Sequence, residues 1–217
     1  MRRLATVVLA SLVLFGVTAT NAQDKQEKYF TERGLYVTVM MTGSELDGPK
    51  PTAGTDLSGF RGLGLAGAVG YRWLPLRAEI EYHANTAYGG VSGAGSDDDR
   101  VQLRTLMLNT YADAQLSRWF GLFAGAGFGL ARVKADFVTC LEFPGCPSFA
   151  TSHTSGSATA GQLQLGLTVG PPNSHQFIMG FRWLKSGSLG LTDTRGQPFG
   201  VDKADFVFAF FGWRGNF

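Results

Sequence analysis

Between Gly62 and Tyr88 the chain alternates with a period of two. Leu63, Leu65, Val69, Tyr71 and Trp73 share one parity, and Gly62, Gly64, Ala66, Ala68, Gly70 and Arg72 share the other. In a β-strand those parities are opposite faces. Beyond Leu74-Pro75 the even positions Leu76, Ala78, Ile80, Tyr82 and Ala84 are mostly apolar, whereas Arg77, Glu79, Glu81, His83 and Asn85 are polar or charged. The stretch predicts a hairpin that is oily on one side and charged on the other, with small residues set beside the long charged ones.

The alternation recurs along the rest of the chain. Leu35, Val37, Val39 and Met41 alternate with Tyr36, Thr38, Met40 and Thr42 in a first strand that starts at Gly34. A strand over roughly Val101–Leu116 sets Leu106, Leu108, Ala112, Ala114 and Leu116 against Asn109, Tyr111, Asp113 and Gln115, and Gly121–Arg132 sets Leu122, Ala124, Ala126, Phe128 and Leu130 against Gly125, Gly127 and Gly129. Leu163–Val169 and Gln176–Trp183 follow the same rule, and a last strand carries Val207, Ala209, Phe211, Trp213 and Phe217 against Gly212, Arg214 and Asn216. Phe206, Phe208 and Phe210 fall on the inward parity of that strand, which simple alternation does not explain.

Eight strands result, with short turns at Leu74-Pro75, Ser117-Arg118-Trp119 and Pro171-Pro172-Asn173-Ser174. Four long loops are expected at Ser44–Ser58, Gly89–Arg100, Val133–Ser157 and Lys185–Lys203. Dyad alternation over about 10 residues, with turns short at one end and long at the other, is the signature of a transmembrane β-barrel. The fold expected is all-β, a closed eight-stranded antiparallel up-and-down barrel. Closure is required because an open edge in hydrocarbon leaves unpaired backbone groups at several kcal/mol each.

An eight-stranded barrel encloses a space just wide enough for side chains to fill. Its inward charges then have to pair, since a lone buried charge is costly. The expected lumen network is Arg72, Arg77, Glu79, Glu81, Asp113, Arg182 and Arg214, with Glu79 and Glu81 meeting some of the arginines. Aromatic girdles are expected at both interfaces: Trp73, Trp119, Phe177, Trp213 and Phe217 near the short turns, and Tyr88, Phe128 and Trp183 toward the loops.

Composition agrees with membrane residence: glycine is high at 30 residues, and charged residues make up only 17%. Arg2 and Arg3, the apolar run Leu4–Val17 and Thr20-Asn21-Ala22 read as a cleavable signal peptide over residues 1–22, followed by a short segment 23–33 and a barrel over 34–217. The remaining chain holds 17 basic and 17 acidic residues, a net charge of zero. No basic excess points to nucleic acid. It holds no apolar run of about 18 residues, so spanning falls to strands.

Cys140 and Cys146 bracket a turn-forming Cys140-Leu-Glu-Phe-Pro-Gly-Cys146, where export favours a disulfide over a zinc pair that has only His153 nearby. Asp97-Asp98-Asp99 lacks the spaced ligand set of a calcium loop. Gly125, Gly127 and Gly129 lack dinucleotide spacing and a following helix. No cofactor or metal is expected.

At Arg77-Ala-Glu79-Ile-Glu81-Tyr82, Gly180-Phe-Arg182-Trp183 and the closing Gly212-Trp-Arg214-Gly-Asn-Phe217, the chain resembles the small outer-membrane β-barrel family, which includes OmpA-type transmembrane domains and opacity-type "porin family" barrels. The resemblance covers about residues 30–217. It implies residence in the outer membrane of a Gram-negative-type bacterium, contact with outer-membrane lipid and lipopolysaccharide, and recognition of the final strand, ending at Phe217, by the barrel-assembly machinery.

The functional expectation is a non-enzymatic barrel with a structural or surface-interaction role, its external loops being the place for a ligand. Two other readings stay open. One is a narrow small-solute pore. The other is a lipid A-modifying enzyme, for which His153-Thr-Ser155 resembles the histidine-x-serine pair of lipid A deacylase barrels. A soluble lipocalin-like barrel would instead turn Glu79, Glu81, Arg182 and Arg214 to water and the tryptophans to a cavity.

Overall fold

The computed structural model describes residues 33–47, 60–73, 75–89, 99–140, 149–187, 189–192, 198–201 and 205–217, and every regular element among them is a strand. The expected signal peptide lies outside the described residues. The strands are β1 (Gly34–Asp47), β2 (Phe60–Arg72), β3 (Leu76–Gly89), β4 (Asp99–Gln115), β5 (Phe120–Cys140), β6 (Phe149–Val169), β7 (His175–Ser186), β8 (Leu189–Thr192), β9 (Pro198–Val201) and β10 (Asp205–Asn216).

Eight of them form a ring. β1 through β7 pair in sequence order, β7 pairs with β10, and β10 returns to β1 in a continuous ladder from Tyr36↔Asn216 to Asp47↔Asp205. Every pairing is antiparallel. The barrel is therefore closed, with no edge along its wall. β8 and β9 form a small outlying hairpin that touches β6 through Ser155↔Thr192.

The two faces of the wall are inverted relative to a water-soluble barrel. Leu63 is 75% exposed and Phe128 68%, whereas Arg182 and Glu81 are fully buried. The soluble lipocalin-like arrangement is thus excluded: Trp73 and Phe181 point outward, and the charges lie within. An apolar outer belt is stable only where hydrocarbon replaces water.

The loop expectation needs correction at two places. Residues 133–157 do not form a long loop; β5 and β6 continue as an unbroken ladder from Phe120↔Val169 to Cys140↔Phe149. Each strand has 21 residues. At about 3.3 Å per residue that is roughly 70 Å of strand, against an apolar band about 25 Å tall. Its β6 half is rich in Ser and Thr, and its β5 half sets Lys134 and Asp136 on the outward parity, so neither carries the outward apolar row that marks a membrane strand, yet the backbone pairs all the same. The stretch between β7 and β10 likewise contains the β8–β9 hairpin rather than loop alone.

Candidate functional site

The wall gathers its buried polar groups in the interior of the ring. β3 supplies the core of this set because its odd positions all face inward: Arg77, Glu79, Glu81, His83 and Asn85 are buried in succession. At the turn end, Glu79 accepts hydrogen bonds from Tyr36 (2.9 Å), Tyr111 (2.7 Å), Asn109 (3.3 Å) and Arg77 (3.3 Å). The guanidinium of Arg77 also donates through Nε to Asp113 at 3.1 Å and lies 3.7 Å from the centre of the Tyr111 ring. One arginine thus bridges two carboxylates while packed between aromatic faces.

A second pair sits one step farther in. Arg182 on β7 donates to Glu81 across the lumen at 2.7 Å. With its amide turned to suit its neighbours, Gln164 accepts from Arg182 at 3.3 Å and donates to the Tyr111 hydroxyl at 3.2 Å. The two carboxylates therefore belong to one connected polar layer, extended by Gln162 donating to Asn109 at 2.5 Å.

The other two expected arginines reach neutral acceptors. Arg214 donates to the side-chain carbonyl of Gln176 at 3.5 Å and lies 5.2 Å from the Tyr36 ring centre, and Arg72 donates to the Pro172 carbonyl at 2.7 Å across the turn end. Toward the loops the polarity fades. His83 meets Thr42 Oγ1 at 2.9 Å and presents an edge to Phe208, and Ser44 donates to Asn85 at 3.0 Å.

The loop end of the lumen is apolar. Phe206, Phe208, Leu103, Met107, Val133 and Leu184 are buried together there, while Phe210 packs lower, with Phe123 and Ile178. This accounts for the three phenylalanines on the inward parity: Phe206 and Phe208 fill the barrel above the polar layer, and Phe210 packs within it, under the Arg182 guanidinium. Leu103, Met107 and Phe123 are not among the expected lumen residues. Only their parity marks them as inward, since their residue type matches that of the lipid face.

The glycine rows make room for this filling rather than leaving a path. A Cβ at Gly125 would meet the Tyr111 ring, and one at Gly127 would meet the Asn109 side chain. Two gaps of about 10 Å³ each remain, lined by residues such as Arg77, Glu79, Gln164 and Arg214 in the first and Arg72, Asp113 and Gln176 in the second. Both fall below the roughly 300–1,000 Å³ of ordinary ligand pockets.

Of the expected girdle residues, Trp73, Trp119, Phe177 and Phe217 are exposed at the turn end, and Tyr88 and Trp183 are exposed toward the loops. Trp213 is half-buried and stacks on His175 with ring centres 5.4 Å apart. Cys140 ends β5, but Cys146 and the expected disulfide lie outside the described residues. His153 and Ser155 stand on β6 with Asp136 and Lys134 as their register partners. Among the described residues, no group of three or more His, Cys, Asp or Glu side chains is placed to hold a metal ion.

A family model described as "Outer membrane protein beta-barrel domain" matches residues 8–209. No curated relative matches the chain by sequence. Among solved structures, the barrel is similar to Neisserial surface protein A, with a TM-score of 0.60 and 16% identity over 86% of this chain and 100% of that one. It is also similar to a major outer membrane protein from Thermus thermophilus (TM-score 0.52, 13% identity, 84% and 99% covered) and to the outer membrane protein AlkL in lipid bilayers (TM-score 0.51, 16% identity, 87% and 92% covered). At these identities the likeness is one of fold.

Proposed function

The chain belongs to the outer-membrane β-barrel domain family, and from that premise we propose that it is a closed, non-enzymatic barrel whose work is done at the cell surface by its external loops. The observation that carries this reading is the filled lumen. Glu79 and Glu81 are bonded across the barrel to Arg77, Tyr36, Tyr111 and Arg182, and Phe206 and Phe208 lie buried beyond them on the loop side. Solute passage would require breaking buried ion pairs and displacing packed phenylalanines, and each is costly in a low-dielectric interior. The wall is then a rigid mount, and the segments at 48–59, 90–98, 141–148 and 187–204 are what it presents. The paired extension of β5 and β6 carries Cys140 and Phe149, the loop-side ends of the two strands, well clear of the bilayer.

The closing strand β10, with the terminal Phe217 78% exposed, is the segment this reading assigns to the barrel-assembly machinery. The test is electrical. Full-length protein reconstituted in planar bilayers should show no discrete conductance steps, and regular steps from the wild-type chain would replace this reading with that of a pore. Proteolysis of intact cells should cut within the four external segments and nowhere in the short turns.

A further inference from the structure

Around the external rim, several outward-facing charges stand beside a charge of opposite sign. Lys185 pairs with Asp205 at 3.3 Å, Glu45 stands opposite Arg61 in the β1–β2 ladder, and Arg100 stands opposite Asp136 in the β4–β5 ladder. Asp47 and Asp205 stand opposite each other in the β1–β10 ladder, but there Lys185 bonds Asp205; a second like-charge pair has no such counter-ion. Arg104 on β4 stands directly opposite Arg132 on β5, and Lys134 follows Arg132 on the same exposed face. No hydrogen bond or ion pair reaches any of these three side chains among the described residues. Like charges directly opposite one another across a ladder are destabilising, so the cluster calls for an anion.

The level of the cluster identifies that anion. On β4 the outward row runs from Leu116 to Leu106, on β5 from Leu122 to Leu130, and the two rows end together at the pair Leu106↔Leu130. The next outward pair is Arg104↔Arg132. The three cations therefore stand just beyond the hydrocarbon on the loop side, where the outer leaflet carries its headgroups. Gln102 lies opposite Lys134, and Ser155 and Ser157 of β6 lie opposite Lys134 and Arg132, so neutral hydrogen-bonding groups flank the cluster on both neighbouring strands, and Asp136, the next outward residue along β5, faces Arg100.

We propose that Arg104, Arg132 and Lys134 form a binding site for the phosphoryl groups of an outer-leaflet glycolipid of the lipid A type. Arginine suits this role because its planar fork binds phosphate oxygens bidentately, and lysine adds a point charge. The acyl chains of the same lipid lie along the leucine rows directly below, so one molecule satisfies both the charged and the apolar parts of this face. The site rests on the membrane placement of the barrel and not on what the external loops bind.

The test uses the full chain in nanodiscs of zwitterionic phospholipid doped with bisphosphorylated lipid A or with its dephosphorylated form, and native mass spectrometry counts the glycolipid retained. The wild type should retain the bisphosphorylated form in preference. Replacing Arg104→Gln, Arg132→Gln and Lys134→Gln together should weaken retention about a hundredfold, and each single change about fivefold, from about 1 kcal/mol per charge at a membrane surface. The sign-matched control Arg61→Gln with Lys185→Gln should retain lipid A as the wild type does. Heat-modifiable gel mobility checks that each variant folds, and Arg132→Gln alone serves if the triple variant does not. Equal retention by the variants and the wild type, or an equal loss in the control, overturns the site. Displacement of lipid A by inorganic phosphate at matched phosphoryl concentration assigns the cluster to soluble anions and overturns the lipid assignment.

Discussion

The turn end and the loop end of the lumen are filled by opposite means. At the turn end Glu79 takes four hydrogen bonds, from Tyr36, Arg77, Asn109 and Tyr111, which come from three different strands. At the loop end Phe206, Phe208, Leu103 and Leu184 fill the same cross-section with hydrocarbon. A barrel this narrow must be plugged, and either chemistry will do it. The difference lies in what each demands. The polar layer depends on donors standing where acceptors are, because each group left unpaired in a low dielectric is costly. The apolar layer asks only for volume and shape. The first therefore pins the register of the strands around it, and the second supplies bulk.

That contrast can be broken most sharply at Arg77. Arg77→Ala strands Glu79 and Asp113 together and should cost about 4 kcal/mol, read as a lower urea midpoint for the heat-modifiable band in lipid vesicles. Phe208→Ala at the other end should cost about 3 kcal/mol, since it opens a cavity rather than orphaning a charge. Tyr36→Phe removes one charge-assisted bond from Glu79 and leaves the packing nearly intact, so about 1.5 kcal/mol is expected in the same assay. The smallest effect should come from removing a whole pair. Glu81→Leu combined with Arg182→Met should lie within about 1 kcal/mol of the wild type, whereas either change alone should be far worse. A double variant as unstable as the single ones would show that the ion pair at that level is not interchangeable with packing.

How much of this is legible in the chain differs by residue. Period-two alternation places Leu63, Phe181 and Trp73 on one face and Glu79, Glu81 and Arg182 on the other, and the turn residues around Pro75 and Pro171 separate the strands. Alternation fails where both faces carry similar residues. Phe206, Phe208 and Phe210 read no differently from lipid-facing positions, and nothing in their residue type sets Leu103 and Met107 apart. The β5–β6 extension reads as loop because its outward parity carries Lys134, Asp136, Ser155 and Ser157 rather than an apolar row, although nothing in these residues prevents pairing.

Local sequence by itself determined that the chain forms strands, which parity of each is apolar, and that the barrel is greasy outside. These follow from side chains alternating about the backbone, a property of a few consecutive residues. Only the closed ring decided that Glu79 meets Tyr36 and Tyr111, that Glu81 meets Arg182 and that Arg104 faces Arg132. Those partners are separated by 43, 32 and 101 residues in the first three cases, and their meeting depends on the stagger of each ladder against the next. A shift of one residue in any ladder would carry these side chains to the other face.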